Sequence, residues 1–213
     1  MSLVIAIKDR DRIVLGSDKQ VSAGPTKSHA TTKIWEVQNL PGAIMGGVGS
    51  LRASQVIQFN PLIDLNEIAA TGIDTSFIIN SLVPVMVAQL QSHGIACGMQ
   101  PDSEEGSQSA SIMMPNVFLF AYKDRAWMIW HDLSVTELED YLAIGSGSEV
   151  AQGALFATPD KNPFERIITS IEAAADTTLY VDNGIDLLAT KYYAKDAKNI
   201  AKALGTELIK VEE

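Results

Sequence analysis

The sequence predicts an α+β fold in which helix pairs cover both outer faces of two stacked antiparallel sheets, a four-layer αββα sandwich. Three observations predict it. Strand-like and helix-like segments come in blocks: strands, two helices, strands, two helices, strands. The strands are nearly continuous apolar runs, which is typical of sheets buried on both faces. The length of 213 residues suits one domain with a sizeable core, so we expect a single domain over residues 1–213.

The first block of strands starts at the beginning of the chain. Apolar residues 3–7 and 13–15 flank the charged turn 8–12, and this pattern predicts a buried hairpin. Residues 33–37 alternate between apolar and polar, which predicts a third strand, and residues 43–45 predict a fourth. Four strands in succession predict a meander.

Capping signals predict the helices. Ser50 and Asp74 are N-cap residues ahead of apolar stripes, and Pro84 should kink the second helix because proline lacks a backbone donor. The capping box at residues 162–165 starts a later helix that ends near Asp176. The other predicted elements are strands at 116–122, 126–130, 141–144, 179–181 and 185–189, a helix around 150–155 and a polar helix from Lys195.

Composition excludes several classes of function. The net charge is −10 and the pI is about 4.7, so a nucleic-acid partner is not expected. Cys97 is the only cysteine, and we find neither a secretory signal nor a membrane-spanning run, so we expect a cytoplasmic protein without a membrane partner. The acidic residues 98–111 predict a polar surface loop, with a partner-docking tip as the alternative.

Five features in order cover most of the chain. The first is Ser2, sixteen positions before Asp18, which residues 20–24 follow. The second is Lys33-Ile34, and the third is the glycine-rich run 46–49. The fourth is Ile144-Gly145-Ser146-Gly147 with Ala151 and Gly153 after it, and the fifth is Ala174-Ala175-Asp176. Together they resemble the proteasome β-subunit and HslV branch of the N-terminal nucleophile (Ntn) hydrolases. The tail from residues 179–181 looks closer to HslV. The resemblance implies the Ntn-hydrolase fold and hydrolysis of peptide bonds.

The resemblance implies a catalytic role for three of these residues. Ser2 would attack a peptide carbonyl, and its own α-amino group, with a pKa of about 8, would act as the base. Lys33 would lower the pKa of both groups, and Asp18 would hold the lysine charged. Taken singly, Lys33 could instead be an exposed residue of an edge strand, and Asp18 an ordinary turn aspartate.

Two features depart from the family pattern. The family exposes a threonine where this chain has Ser2, which lacks the methyl group that restricts the rotamers. Met1 also precedes Ser2, and a retained methionine would leave the α-amino group blocked in an amide. Because Met-Ser is a good context for methionine aminopeptidase, we expect Met1 to be removed.

The glycine run and the strand before it supply two further assignments. Gly46 or Gly47 would point a backbone N–H at the oxyanion, or else form a plain turn. Ile44 or Met45 would line an apolar specificity pocket, or else belong to the core.

Ser146 and Asp176 would orient the terminal amine, although helix-capping and helix-end roles explain them nearly as well. The scattered histidines lack ligand spacing, so we expect no metal. No P-loop motif is present, so we expect no cofactor, and any use of ATP would fall to a partner.

The leading hypothesis is a self-compartmentalising peptidase subunit with Ser2 as nucleophile. By resemblance it would form stacked homo-oligomeric rings, receive polypeptide substrates from a separate ATPase unfoldase, and meet neighbouring subunits through residues such as Met86 and Leu90. The alternatives are an inactive ring or scaffold subunit of the same fold, and an Ntn amidohydrolase acting on a small amide.

Overall fold

A computed structural model describes residues 2–23, 26–29, 32–62, 68, 70, 72–95, 97–101 and 110–190. In chain order the strands are β1 (Leu3–Asp9), β2 (Arg12–Asp18), β3 (Val21–Ala23), β4 (Thr26–Ser28), β5 (Ile34–Glu36), β6 (Ala43–Gly49), β7 (Gly98–Pro101), β8 (Ala110–Met113), β9 (Asn116–Tyr122), β10 (Arg125–Ile129), β11 (Val135–Glu137), β12 (Tyr141–Gly145) and β13 (Ile185–Ala189). The helices are α1 (Leu51–Phe59), α2 (Thr75–Phe77), α3 (Val83–Ser92), α4 (Ser148–Ala157) and α5 (Pro163–Thr177), and a π-helical segment, Ile78–Leu82, joins α2 to α3.

Two antiparallel sheets form the centre of the fold, in the orders β12-β1-β2-β13 and β11-β10-β9-β6-β5. Apolar side chains from both sheets, among them Val4, Leu15 and Leu119, fill the space between them. A second apolar layer separates the first sheet from α4 and α5, and a third separates the second sheet from α1 and α3. The predicted α+β sandwich of four layers is confirmed, and both sheets are buried on both faces.

The first four predicted strands do not form a meander. β1 and β2 pair in the first sheet, whereas β5 and β6 pair in the second. The chain crosses between the sheets over residues 19–33, which include the small hairpin of β3 and β4. β2 takes β13 as its other neighbour, with Ile185 opposite Asp18. This crossing brings the end of β2 and the start of β5 to the same end of the sandwich.

Other elements also differ from their predictions. Residues 179–181 form no strand, because α5 continues to Thr177 and a turn with an exposed Leu179 follows directly. The short edge strand β11 was not predicted. The ends of the predicted loop 98–111 pair with each other as β7 and β8. Residues 102–109 and the helix predicted from Lys195 lie outside the described residues.

Pro84 lies in the first turn of α3, directly after the π-helical segment. The π-helical segment before it ends with a bond from the Val83 N–H to the Ile78 carbonyl. The helix changes type at the position where the sequence predicts a kink. Met86 and Leu90 are fully buried in the core of this chain, so the prediction that they contact neighbouring subunits is wrong.

Candidate active site

Ser2 lies half-buried at the beginning of β1, beside β12. Its carbonyl accepts a hydrogen bond of 2.8 Å from the Ser146 N–H. Leu3 is opposite Gly145 in the register of the two strands, so Ser2 is opposite Ser146. Residues that form such a hydrogen-bonded pair on antiparallel strands turn both backbone groups towards each other. A continuation of this pairing would turn the Ser2 nitrogen towards Ser146, as its carbonyl is.

Gly145 allows β12 to approach Ser2 this closely. Its φ angle is +96°, in the region that favours glycine. A Cβ atom added to Gly145 would lie 2.0 Å from the carbonyl oxygen of Ser2. Because that oxygen belongs to the backbone, no side-chain rotation could relieve the clash. The contact between these strands requires glycine at this position.

Asp18, the last residue of β2, is fully buried and accepts three hydrogen bonds. Its Oδ1 atom accepts from the Leu3 N–H at 2.8 Å and from the Lys33 Nζ at 2.5 Å. Its Oδ2 atom accepts from the Gln20 N–H at 3.1 Å. Since Leu3 directly follows Ser2, one carboxylate holds both the start of the chain and the lysine. An ordinary turn aspartate would not be buried in this way.

Lys33 comes from the opposite sheet, one residue before β5. It is 4% exposed, which excludes the alternative of an exposed edge-strand lysine. The stacking of the two sheets is what brings its ammonium group to Asp18. The structure therefore brings Lys33, Asp18 and the beginning of β1 together, as the catalytic roles implied by the resemblance require.

Burial opposes both charges of this pair. It raises the pKa of the Asp18 carboxyl, while the Lys33 charge and backbone N–H donors act in the opposite direction. Burial also lowers the pKa of the Lys33 ammonium, against the attraction of Asp18, Asp182 and Asp186. A lysine with a lowered pKa gives up its proton at a lower pH than an ordinary lysine. Such a lysine can take part in proton transfer next to a reacting hydroxyl group.

Further charges surround this pair. Asp186 of β13 is 3% exposed, and its Oδ1 atom lies 3.0 Å from the Lys19 Nζ. The Asp182 carboxylate accepts a bond from the Lys19 backbone N–H and contacts the His29 ring. The ion pair between Lys19 and Asp186 partly compensates the buried negative charge beside Lys33.

Ser2 and Lys33 line the same small cavity, of about 100 Å³. Its other lining residues are Val21, Ser22, Thr32, Gly47, Gly49, Leu51 and Ser54. Ser2, the buried Lys33 and the glycine residues at the end of β6 therefore border one enclosed space. We refer to it as the lysine cavity.

The two glycines proposed for the oxyanion differ in their surroundings. Gly46 does not line the lysine cavity, and a Cβ atom there would lie 2.8 Å from the Val4 side chain. Gly47 lines it, but its N–H donates to the Lys33 carbonyl at 3.0 Å. Because N–H groups alternate along a strand, the Gly49 N–H faces the same side as that of Gly47, past the end of β5. The geometry therefore disfavours Gly46 and adds Gly49, which the sequence analysis missed.

Ile44 and Met45 do not line either cavity described here at Ser2. Ile44 is 1% exposed and packs between the two sheets, and Met45 is fully buried in the layer against α1 and α3. Both belong to β6 where this strand crosses the core. The assignment of a specificity pocket to Ile44 and Met45 is not supported, and the core alternative describes them.

Ser146 is hydrogen-bonded to Ser2, whereas Asp176 has no such contact in the described part of the chain. Gly147, with a φ angle of +73°, is the N-cap of α4, so capping does not explain Ser146. Asp176 is exposed in the last turn of α5, and in the described part of the chain no hydrogen bond joins it to Ser2 or Ser146. Its role in orienting the amine stays a prediction.

A second, larger and open groove of about 540 Å³ also begins at Ser2. Apolar side chains form most of its wall: Val48, Met114, Pro115 and Val117. The buried Asn116 also lines it, and its amide is bound to the Ser50 backbone and to the Ser54 hydroxyl. His131 is an exposed lining residue. We refer to this space as the open groove.

Among the residues that the structure describes, no group of three or more His, Cys, Asp or Glu could hold a metal ion. None of the described helices is long and apolar enough to cross a membrane. The expectation of a site without metal or cofactor rests on the sequence.

Comparison with solved structures gives extensive similarity. BPH from Thiobacillus denitrificans, in complex with epoxomicin, matches with a TM-score of 0.64 and 18% identity over 88% of this chain and 97% of that chain. HslV from Trypanosoma brucei matches with a TM-score of 0.57 and 16% identity over 88% and 98%. The chain shares the fold of HslV. Anbu from Yersinia bercovieri, described as an ancestral β-subunit, matches with a TM-score of 0.60 and 13% identity over 95% and 93%.

At these identities the likeness to HslV, BPH and Anbu establishes the fold alone. No family model matches the chain, and no curated protein matches it. The roles of individual residues within the HslV fold therefore depend on the geometry of this chain.

Three positions with clear structural roles escaped the sequence analysis. In the sequence, Gly49 was one of several glycines in residues 46–49 and Gly145 one of two in residues 144–147. Their φ angles of +96° for Gly145 and +119° for Gly49 show that each position requires glycine. Asn116 precedes an apolar run and looked like an ordinary strand residue. Its contacts to Ser50 and Ser54, far away in sequence, leave no local signal.

Proposed function

We propose that the chain is a proteasome-like, HslV-like peptidase subunit that cleaves peptide bonds with Ser2 as N-terminal nucleophile after removal of Met1. The observation that carries the proposal is the shared Oδ1 atom of Asp18, which accepts hydrogen bonds from the Leu3 N–H and the Lys33 ammonium. This contact sets the first residues of the chain against a buried lysine. The structural likeness to BPH, solved with epoxomicin, supports the same class of chemistry.

The proposed reaction begins with attack of the Ser2 Oγ atom on the peptide carbonyl carbon. The hydroxyl proton passes to the α-amino group, and the Lys33 ammonium stabilises the developing alkoxide. The tetrahedral intermediate then collapses, the C–N bond breaks, and the α-ammonium gives its proton to the leaving amine. Water attacks the ester that remains on Ser2, and the Oγ atom regains its proton as the acid leaves.

The backbone supplies the remaining roles in this proposal. The N–H groups of Gly47 and Gly49 would bind the oxyanion, and each such donor is worth on the order of 3 kcal/mol of barrier. Gly47 would then share its N–H between the oxyanion and the Lys33 carbonyl. Ser146 would hold the amine through the backbone pairing with Ser2, and Asp176 would contribute to its orientation.

By resemblance we also propose that copies of the chain assemble into stacked rings in the cytoplasm and that a separate ATPase supplies unfolded polypeptides. Large apolar side chains on the surface support burial in an assembly: Phe59 is 65% exposed, Phe156 77% and Leu179 75%. Native mass spectrometry of the purified protein tests this part. A monomer at micromolar concentration would contradict it.

Covalent labelling with epoxomicin tests the nucleophile, since its epoxyketone requires the hydroxyl and a free α-amine on the same residue. We expect the intact mass to show a chain that starts at Ser2 and takes up one inhibitor. Ser2→Ala should lose both the adduct and the cleavage of fluorogenic peptides while the assembly keeps its size. Ser28→Ala, a change at an exposed serine of β4, is the matched control. A chain that starts at Ser2 and takes up no inhibitor would contradict the proposal.

The alternatives make different predictions in the same experiment. An inactive ring or scaffold subunit would retain Met1 in protein isolated from its host and show no adduct. An Ntn amidohydrolase would turn over small amides and not peptides. The open groove that begins at Ser2 favours an extended polypeptide over a small amide.

A further inference from the structure

We propose that the open groove binds the part of the substrate that follows the scissile bond and selects an uncharged, apolar side chain directly after that bond. This inference rests on the proposed function, because it takes Ser2 as the nucleophile. It adds a substrate preference to that function and names the residues that produce it.

The two cavities meet at Ser2. Ser2 and Gly49 line both of them, whereas Lys33 and Gly47 line only the lysine cavity, and Val117 and His131 only the open groove. A peptide bond under attack by Ser2 must continue in two directions from the Oγ atom. The part of a polypeptide before the scissile bond can therefore occupy one cavity and the part after it the other, with Ser2 between them.

The lysine cavity suits the acyl part of the substrate. It holds the Lys33 ammonium and the edge of β6 on which the Gly47 and Gly49 N–H groups lie. These groups stabilise negative charge on the hydroxyl oxygen and the carbonyl oxygen, so the carbonyl under attack belongs on this side. The rest of the substrate, which leaves as an amine, is then directed to the open groove.

The direction of the Ser2 nitrogen gives the same assignment independently. The bond from the Ser146 N–H shows that the carbonyl of Ser2 faces Ser146, and an extended backbone at Ser2 would turn its nitrogen to the same side. Ser146 and Gly145 are lining residues of the open groove. The α-ammonium that must protonate the leaving nitrogen is therefore on the side of the open groove.

The chemistry of the wall sets the preference. No described side chain of this wall carries a carboxylate, ammonium or guanidinium group, although the chain has a net charge of −10. Val48, Met114, Pro115 and Val117 are apolar, and the amide of Asn116 is occupied by Ser50 and Ser54. A charged side chain next to the scissile bond would lose hydration without gaining an oppositely charged partner among these side chains. An apolar one would replace contacts with water by contacts with these side chains.

A peptide library tests the preference. Its members share one acyl part and differ only in the amino acid directly after the scissile bond. Mass spectrometry measures the rate of cleavage, and each rate is divided by the concentration of active sites that epoxomicin labels. We expect Leu, Ile, Val and Met after the bond to give kcat/KM values about 10–200-fold above those for Asp, Lys and Gly, the range that apolar pockets achieve.

Val117→Asp places a charge in the wall and should reduce this preference to a few-fold at most, with Lys gaining over Leu. Val135→Asp is the matched control, because Val135 is also a half-buried valine of the second sheet and does not line the open groove. The control should keep the preference of the unchanged protein. Loss of the preference in both variants, or in neither, would overturn the assignment of the wall.

A second measurement needs no variant and therefore does not depend on the folding of Val117→Asp. An acyl-enzyme formed from a peptide ester is exposed to an amino-acid amide, whose nitrogen attacks the ester carbon. The C–N bond forms, the bond to Ser2 Oγ breaks, and the amine proton passes to the Oγ atom. We expect leucinamide to capture the acyl group about tenfold more than glycinamide or the amide of aspartate, and equal capture would overturn the inference.

The outcomes separate the two levels of the argument. An enzyme that is labelled and cleaves peptides without a preference after the bond disproves the role of the open groove and leaves the proposed function intact. A chain shown to begin at Ser2 that neither labels nor cleaves disproves the proposed function, and this inference with it.

Discussion

Asp18 and Lys33 lie 2.5 Å apart although they come from different sheets. Asp18 ends β2 in the first sheet, and Lys33 immediately precedes β5 in the second. The same oxygen of Asp18 accepts the N–H of Leu3, so the beginning of the chain, one sheet and the other sheet meet at one atom. The variants of this pair therefore report on the fold and on the site together.

Asp18→Asn should destabilise the fold strongly. The change leaves the Lys33 ammonium buried without its counter-charge, and removal of one partner of such a pair costs about 3 kcal/mol or more. Urea unfolding measures the loss. Glu172→Gln, on the exposed face of α5, is the control and should change the free energy of unfolding by less than about 0.5 kcal/mol.

Replacing both members of the pair should be less harmful than the two single changes added together. In Asp18→Asn with Lys33→Met no buried charge is left unpaired, so part of the stability returns. A double-mutant cycle from urea unfolding gives the coupling. Strictly additive effects would show that the contact at 2.5 Å carries no net interaction.

The free energy of unfolding should rise with pH towards the alkaline range because of Lys33. Burial lowers its pKa in the folded state, so between that pKa and the ordinary 10.5 the unfolded chain binds a proton that the folded chain does not. Acid then favours the unfolded state, and the stability contributed by Lys33 is lost as the pH falls through this window. Urea unfolding at a series of pH values below 10.5 should show this slope in the unchanged protein and not in Lys33→Met. Lys27→Met, at an exposed position, should keep the slope. A slope that persists in Lys33→Met would show that Lys33 is not its cause.

Gly145→Ala and Gly153→Ala should change stability in opposite directions. Alanine at position 145 combines a φ angle of +96° with a Cβ atom 2.0 Å from the Ser2 carbonyl oxygen, and we expect a loss of about 1–3 kcal/mol and of epoxomicin labelling. Gly153 lies within α4 with open space around it, so alanine there should add about 0.5–1 kcal/mol. Thermal unfolding and labelling measure both variants. A labelled, stable Gly145→Ala would refute the close approach of β12.

Asn116→Asp should destabilise the fold at neutral pH and recover in acid. The new carboxylate keeps the acceptor for the Ser50 N–H but turns a second acceptor towards the Ser50 carbonyl. A buried carboxylate in this setting has a raised pKa, so its cost is lost when the group is protonated at low pH. Urea unfolding at pH 4 and pH 7 measures the loss of stability, which should be larger at pH 7. Asn183→Asp, which adds the same charge at an exposed position outside this network, is the control.

The sequence was sufficient to predict the layers of the fold, because apolar runs and caps are local patterns. The capping residues Ser50 and Asp74 and the start of α5 at Pro163 are where the sequence predicts them. The error of the meander came from residues 19–33, where nothing in the local pattern shows that the chain changes sheet. Residues 179–181 were apolar enough for a strand but follow α5 too closely to form one.

The candidate site was predictable only in part for the same reason. Ser2, Asp18 and Lys33 could be named from spacing, and the structure brings Lys33, Asp18 and the residue after Ser2 into contact. The walls around Ser2 depend on which strands are neighbours and how they are registered. Ile44 and Met45 face the core because of the position of β6, whereas Val48 and Val117 reach the open groove from β6 and β9. Such register is a property of the whole sandwich.

The meeting of two sheets at Asp18 has a consequence for the cell that makes this protein. A half-folded chain, with either sheet formed alone, holds Lys33 away from the amino terminus and so has an ordinary, unreactive serine. If Ser2 is the nucleophile, the active site forms only when both sheets have folded. Nascent or partly unfolded copies would then not cleave the proteins around them.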